Sequence, residues 1–278
     1  MVNRIHIGNV TIGDGSLALI AGPCVIESQE ICYQIGREVK AVCEELKMPY
    51  IFKASFDKAN RLSVKSPRGP GMDDGLAILA EMRSSLGVPV LTDVHEVCQV
   101  EKTAQVVDIL QIPAFLCRQT DLLIAAGQTG KPVNIKKGQF LSPHDMRNIA
   151  EKVTSTGNEQ VMLTERGVSF GYGNLVVDMR SLPIMRSFGF PVVFDATHSV
   201  QRPGGLGTSS GGDREFVPHL VRAACAVGID ALFIEVHPNP ESALSDAATM
   251  LPLDSLRSVL EQAKAIHMAN GQWSMVNG

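Results

Sequence analysis

VPVLTDVHEVCQVEKTAQVVDILQIP, residues 88–113, reads as strand, helix, strand. An apolar run, Val88–Asp93, leads into a segment of helical spacing, Glu96–Val106, and a second apolar run, Ile109–Pro113, follows. The same unit recurs in both directions along the chain. Further runs lie at Leu17–Gly22, Tyr50–Lys53, Val133–Lys136, Val161–Thr164, Pro191–Asp195 and Ala231–Glu235, which makes eight. Segments of helical spacing separate them: Glu30–Leu46, Asp73–Leu86, Asp121–Ala126, Pro143–Thr154, Arg214–Val227 and Asp254–Met268, with a shorter, weaker one at Arg180–Phe188. Near-continuous apolar strands alternating with amphipathic helices predict a parallel sheet covered on its outer face. Eight units with no polar linker predict one closed α/β (β/α)8 barrel, a TIM barrel, over residues 1–278; an open doubly wound sheet is the alternative. Residues 4–15 alternate β-formers around Gly8-Asn9 and Asp14-Gly15, which predicts a hairpin capping the N-terminal end of the barrel.

Composition narrows the function classes. The chain has 278 residues, 45% of them hydrophobic, enough for a large core. Its longest apolar stretch, Leu17–Ile26, is broken by Gly22 and Pro23 and falls short of the roughly 20 residues a membrane-spanning helix needs. No apolar export signal opens the sequence, so a cytoplasmic location is expected, and with it six free thiols. Cys32, Cys43, Cys98 and Cys225 fall in helical segments and are expected in the core, whereas Cys24 and Cys117 follow strands. With 25 Lys and Arg against 29 Asp and Glu, there is no basic face to suggest nucleic acid.

In such barrels the active site forms where the strands end at their C-termini. Cations recur there: Lys53, Lys58, Arg61, Arg118, Lys136, Lys137 and Arg166. A solvated rim is the ordinary reading. Cations converging on one mouth of an acidic chain repel one another unless an anion neutralises them, which points to an anionic substrate, or two. Arginine suits phosphate or carboxylate through its planar fork, and lysine serves as a point charge.

A second constellation belongs to strands one, seven and eight, neighbours in a closed barrel. Cys24, His198, Glu235 and Asp246 offer sulfur, nitrogen and oxygen donors suited to a divalent ion such as Zn²⁺, Fe²⁺ or Mn²⁺. Each also has a plain reading: Cys24 as a core thiol, His198 as a hydrogen-bonded histidine, Glu235 as partner of a lysine. Asp93, His95, Asp195 and His237 are further strand-end groups, fit for supporting hydrogen bonds or for acid–base work. The glycine-rich Arg202–Arg214 is too long for a dinucleotide fingerprint and reads as a lid, and Ser55–Gly71 is a second long loop on the same face.

IAGPCVIES (20–28), FKASFDKANR (52–61), RGPG (68–71), QIPAFLCRQTDLL (111–123), VNIKKGQF (133–140), TERGVSFGYGNLVVDMRSLPIM (164–185), FDATHSVQ (194–201), SGGDREF (210–216), IEVHPNPE (234–241) and LSDA (244–247) resemble the 3-deoxy-D-manno-octulosonate 8-phosphate synthase family, in order over nearly the whole chain. The resemblance implies condensation of phosphoenolpyruvate with D-arabinose 5-phosphate and water, giving the eight-carbon phosphorylated keto acid and phosphate, a step in lipopolysaccharide precursor synthesis. It implies that Lys53, Ser55, Lys58, Lys136 and Arg166 hold phosphoenolpyruvate, that Asn60 and Arg61 meet the sugar phosphate, and that Gln111 and Asp93 line the cavity. Arg118 would reach the sugar phosphate across a subunit boundary in a homotetramer. Lys58, Asp93, His198 and Cys24 are the implied catalytic group, with Lys58 stabilising charge or moving a proton.

One branch of that family carries Asn at the position of Cys24 and works without metal. This chain resembles the metal-dependent branch, with Cys24, His198, Glu235 and Asp246 as the implied ligands. It departs from the family at KANRSS, reading Leu62-Ser63 after Arg61, and Lys65 and Pro67 replace the usual His and aromatic residue. Ser63 or Lys65 is then the expected replacement ligand for the sugar phosphate. Two competing readings are a shikimate-pathway synthase using erythrose 4-phosphate, whose KPRT-like segment KANR replaces, and a catalytically silent metabolite-binding barrel.

Overall fold

The computed structural model describes residues 2–169, 171–205 and 210–276, with the backbone alone over 271–276. A hairpin of β1 (Ile5–Ile7) and β2 (Val10–Ile12) opens the chain. Eight parallel strands follow: β3 (Ala18–Gly22), β4 (Tyr50–Lys53), β5 (Val90–Asp93), β6 (Ile109–Ile112), β7 (Val133–Lys136), β8 (Val161–Glu165), β9 (Val192–Asp195) and, after the two-residue β10 (Gln201–Arg202) and β11 (Gly211–Gly212), β12 (Ala231–His237). A short β13 (Leu251–Pro252) pairs with the end of β12. Because β12 pairs with both β9 and β3, the sheet closes. That closure overturns the open-sheet alternative.

Helices α1 (Gln29–Leu46), α2 (Met72–Leu86), α3 (Val97–Val106), α4 (Thr120–Gln128), α5 (Met146–Thr154), α6 (Ser181–Arg186), α7 (Val217–Val227) and α8 (Leu256–Val276) cover the outside. Their sequences show why they form. In α1 the buried residues are Cys32, Ile35, Gly36, Val39 and Cys43, a stripe at helical spacing. Ser28 caps its start, its Oγ accepting from the Ile31 amide at 3.2 Å. Before α3, the Glu96 and Gln99 side chains each accept from the other's end of the first turn, forming a capping box. Cys98 is exposed on α3, contrary to its expected place in the core, because the buried stripe there runs through Val100, Thr103 and Ala104.

Two apolar layers hold the fold. One joins the outer face of the strands to the helices, and the other fills the barrel interior. In the interior layer Ile5, Ile7, Val10 and Ile12 of the hairpin pack against Ile20, Ile51, Leu91, Ile109, Met162 and Phe233. The hairpin therefore plugs the N-terminal end, as the alternation over residues 4–15 predicts. Gly22 has to be a glycine: a Cβ there would overlap the Lys53 carbonyl oxygen, and this close approach draws the ends of β3 and β4 together beneath the site. Among the described residues no helix is long and apolar enough to cross a membrane.

Candidate active site

The C-terminal ends of the strands enclose two chambers that share a wall. The inner one, about 170 Å³, is lined by Lys53, Lys58, Asp93, Lys136, Arg166 and His198 among others. The outer one, about 550 Å³, lies between the loops after β4 and β12 and includes Asn60, Arg61, Leu62, Ser245 and Asp246 in its wall. Phe233 supports the inner chamber from below, with the Lys136 ammonium 3.7 Å from its ring centroid.

Carboxylates two strands away in the barrel hold Lys136 and Lys53 in place. Lys136 Nζ donates to Asp195 Oδ2 at 2.7 Å, and Lys53 Nζ donates to Glu235 Oε1 at 2.6 Å and to the Cys24 carbonyl at 2.9 Å. Lys58 Nζ donates to Ser55 Oγ at 3.1 Å. Burial pushes the Lys136 ammonium below its ordinary range despite Asp195, and burial likewise lowers Arg166. Lys58 is moved the other way: burial opposes its charge, but Cys24, Glu235, Asp93 and Asp246 outweigh that and raise it. The turn after β8 presents Arg166 because the Glu165 carboxylate accepts from the Arg166 and Gly167 amides at 2.9 and 2.7 Å. Arg166 Nη2 then donates to Gln201 Oε1 at 2.6 Å, while its Nη1 is buried without a protein partner.

Beside these cations, Cys24, Glu235 and Asp246 bring one ligand atom each within 4.8 Å of the others. His198 adjoins this ring, its Nε2 lying 3.8 Å from Glu235 Oε2 and 3.9 Å from Asp246 Oδ2. Its Nδ1 faces Asp195 Oδ2 at 2.8 Å, so a proton held there leaves the Nε2 lone pair turned to the ring. Glu235 Oε2 is buried with no hydrogen-bond partner. Cys24 Sγ donates to Asp246 Oδ2 at 3.0 Å, and burial together with Asp246 and Glu235 raises the thiol well above its usual range. Asp246 adopts φ 49°, a left-handed conformation that few non-glycine residues take, and its carbonyl accepts from the Thr249 and Met250 amides. An orphaned carboxylate oxygen, a thiol and a second carboxylate gathered together, with an imidazole against the two carboxylates, fit a divalent cation.

Not every residue singled out in the sequence converges here. Lys137 is fully buried on the outward side of β7, 3.4 Å from Glu165 Oε1. Arg118 is exposed and lies in a separate cleft with Asp145, Asn148 and Lys152. Gln111 sits behind Asp93 and meets the cavity through it, its Nε2 donating to Asp93 Oδ1 at 2.6 Å. Ser63 takes part in a local turn, accepting from the Lys65 amide at 3.3 Å, and Leu62 rather than Ser63 faces the outer chamber. Arg61 is engaged by its own protein, donating to Pro67 O at 2.7 Å, Ser245 Oγ at 2.7 Å and Leu244 O at 3.1 Å. Of the glycine-rich segment read as a lid, residues 206–209 lie outside the described residues. Sequence reading missed Gln201, which joins Arg166 to Asp246 by donating to Asp246 Oδ1 at 3.0 Å; its place at the end of FDATHSVQ was the available signal.

Comparison with known proteins agrees with this geometry. The chain is 59% identical over 267 residues to the 2-dehydro-3-deoxyphosphooctonate aldolase of Trichlorobacter lovleyi, covering 96% of this chain and 98% of the relative. It is 60% identical over 267 residues to the protein of that name from Geotalea uraniireducens, with the same coverage. A third, from Cyanothece sp., is 59% identical over 262 residues, 94% of this chain and 96% of the relative. The profile of the DAHP synthetase I family also matches residues 3–269, from the plugging hairpin into α8. A match that takes in all eight strands and every loop around the two chambers is a match to the whole barrel, and the chain belongs to the DAHP synthetase I family.

Proposed function

We propose that the chain condenses phosphoenolpyruvate with D-arabinose 5-phosphate and water, forming 3-deoxy-D-manno-octulosonate 8-phosphate and inorganic phosphate. The observation that carries this is the inner chamber: Lys53, Lys58, Lys136 and Arg166 converge on a space sized for a three-carbon, highly charged acid, beside the Cys24–His198–Glu235–Asp246 ring. The larger outer chamber, with Asn60 and Arg61 in its wall, suits the sugar phosphate. The names carried by the relatives support the same product.

In this reading Lys136 and the free Nη1 of Arg166 neutralise the carboxylate and phosphate of phosphoenolpyruvate, and Lys53 holds Glu235 ionised while lining the pocket. Carbon three attacks the sugar aldehyde, whose oxygen takes up a proton; water adds at carbon two with loss of one proton, and the tetrahedral species collapses to the ketone, its hydroxyl proton leaving with phosphate as the carbon–oxygen bond breaks. Lys58, fixed by Ser55 and kept protonated by the carboxylates of Glu235, Asp93 and Asp246, stands where it can stabilise the new alkoxide or give it a proton. Cys24, His198, Glu235 and Asp246 would hold a divalent ion such as Zn²⁺, Fe²⁺ or Mn²⁺. When bound, that ion supplies Lewis acidity toward the aldehyde oxygen or water. Arg118 lines neither of its own chambers, which supports the assignment to a neighbouring subunit's sugar phosphate in a homotetramer.

Phosphate release with phosphoenolpyruvate and either arabinose 5-phosphate or erythrose 4-phosphate tests the reaction. Preference for the four-carbon sugar would favour the shikimate-type reading, and binding of phosphoenolpyruvate without turnover under any metal would favour a silent barrel. Metal dependence is read by chelation followed by add-back of each ion on the wild type, Cys24→Ala and Cys24→Asn. Alanine removes a soft ligand and is expected to abolish metal-restored activity, while asparagine retains some chelator-resistant turnover if the ion chiefly orients the aldehyde. Full activity in stripped wild type would return Cys24 to a core thiol.

A further inference from the structure

The upper layer of the barrel interior is polar where the lower layer is apolar. Asp93, Gln111, Asn134 and Thr164 come from four successive strands, β5 to β8, and all are buried. The strand register places Asp93 beside Gln111 and Gln111 beside Asn134. Two residues earlier on β5, β6 and β8, Leu91, Ile109 and Met162 belong to the apolar interior layer. Buried amides carry a desolvation cost that a further layer of Val, Ile or Leu would avoid, so a polar layer here needs a reason other than stability.

The hydrogen bonds run in one direction. Thr164 Oγ1 donates to Asn134 Oδ1 at 2.6 Å, Asn134 Nδ2 donates to Gln111 Oε1 at 2.8 Å, and Gln111 Nε2 donates to Asp93 Oδ1 at 2.6 Å. The carboxylate at the end sets this polarity. Asp93 can only accept, so Gln111 must turn its NH₂ to it, which leaves a carbonyl for Asn134 and, in turn, a carbonyl for the Thr164 hydroxyl. The other oxygen of Asp93 accepts from Ser55, whose Oγ also accepts from Lys58. Lys53, Lys58 and Lys136 surround the carboxylate with positive charge and hold it ionised against its burial.

We propose that Asn134 and Thr164 are positioning residues for the reaction. Neither lines the two chambers; they fix the plane of the Asp93 carboxylate, and through Ser55 the direction of the Lys58 ammonium. The inference rests on the proposed condensation and adds to it two residues that touch no substrate.

Three variants test it in the metal-loaded full chain, with kcat, both KM values, a pH profile and thermal melting recorded for each. Thr164→Val keeps the shape but leaves Asn134 Oδ1 without a donor, and kcat is expected to fall about 10- to 100-fold, the order of cost of misplacing a reacting group. KM for the sugar phosphate should stay within about twofold, since only direct contacts set ground-state binding. Thr164→Ser restores a donor and should restore kcat. Asn134→Asp sets an acceptor against Gln111 Oε1, so its deficit should be large at about pH 8 and shrink toward about pH 5.5, as the introduced carboxyl gains a proton it can donate. Lower melting temperatures with wild-type kcat and pH profile would overturn the proposal, as would a Thr164→Ser variant no better than Thr164→Val. A wild type that does not turn over would instead defeat the condensation reading, so the two failures are distinguishable.

Discussion

Asp195→Asn changes one oxygen to NH₂ at the point where the cation cluster meets the Cys24–His198–Glu235–Asp246 group. Asp195 Oδ2 accepts both Lys136 Nζ at 2.7 Å and His198 Nδ1 at 2.8 Å, while Oδ1 accepts the His198 amide at 3.0 Å. Asparagine cannot satisfy all three. With its oxygen toward Lys136, its NH₂ opposes the His198 amide; turned over, it faces the ammonium and Nδ1. Either way a buried donor meets a donor, at about 1–3 kcal/mol, and Lys136 loses its counter-charge. Removing one partner of a buried pair costs about 3–5 kcal/mol in all, a large share of the roughly 5–15 kcal/mol that holds a domain together. The Asp195 carboxyl is pushed up by burial, but His198, Lys136 and Arg166 outweigh this and hold it below its usual range. A depressed carboxyl contributes its full stability above its unfolded value of about 3.9, so urea unfolding at pH 7 reads the whole effect. The midpoint should fall with an unchanged slope. Loss of the bond that orients His198 should also weaken divalent-ion affinity about 10- to 100-fold, measured by competition with a chelator. A stability loss under about 1 kcal/mol together with unchanged ion affinity would show that Asp195 is not the joint between the two clusters.

Arg61→Ala should raise KM for arabinose 5-phosphate about 10- to 100-fold, the value of a charged hydrogen bond of about 1.5–3 kcal/mol, and leave phosphoenolpyruvate binding intact. Steady-state kinetics with each substrate varied separates the two, and loss of phosphoenolpyruvate binding alone would contradict the assignment. Leu62→Ser should give equal or tighter sugar-phosphate binding, since Leu62 is 62% exposed and little packing is lost; markedly weaker binding would mean the loop is built around the leucine. Acidification should destabilise the fold from about pH 4 downward, because Asp93, like Asp195, is held below its ordinary range and stability is lost as pH falls toward its folded value. Urea midpoints at about pH 5 and pH 3 check this, and equal midpoints would refute it.

Strand and helix periodicity made the barrel legible, because a strand covered on both faces is apolar throughout and its helices carry stripes. The site was legible only in part, and the reason is parity. Residues alternate between the two sides of a strand, so a cation near a strand end enters the mouth only if its position points inward. Lys136 points inward to Asp195, and Lys137, one residue on, points outward to Glu165. Both looked alike as strand-end lysines. The Cys24–His198–Glu235–Asp246 ring could be suspected because closure makes strands one, seven and eight neighbours, yet its convergence depends on the left-handed turn at Asp246. Asn134 and Thr164 escaped notice for a different reason. An uncharged side chain on an apolar strand carries no chemistry of its own, and its meaning comes from the residue beside it in register. Asn134 matters because Gln111 faces it, and Gln111 because Asp93 does. Periodicity locates the ends of the strands, but only register decides which of the polar groups there act together.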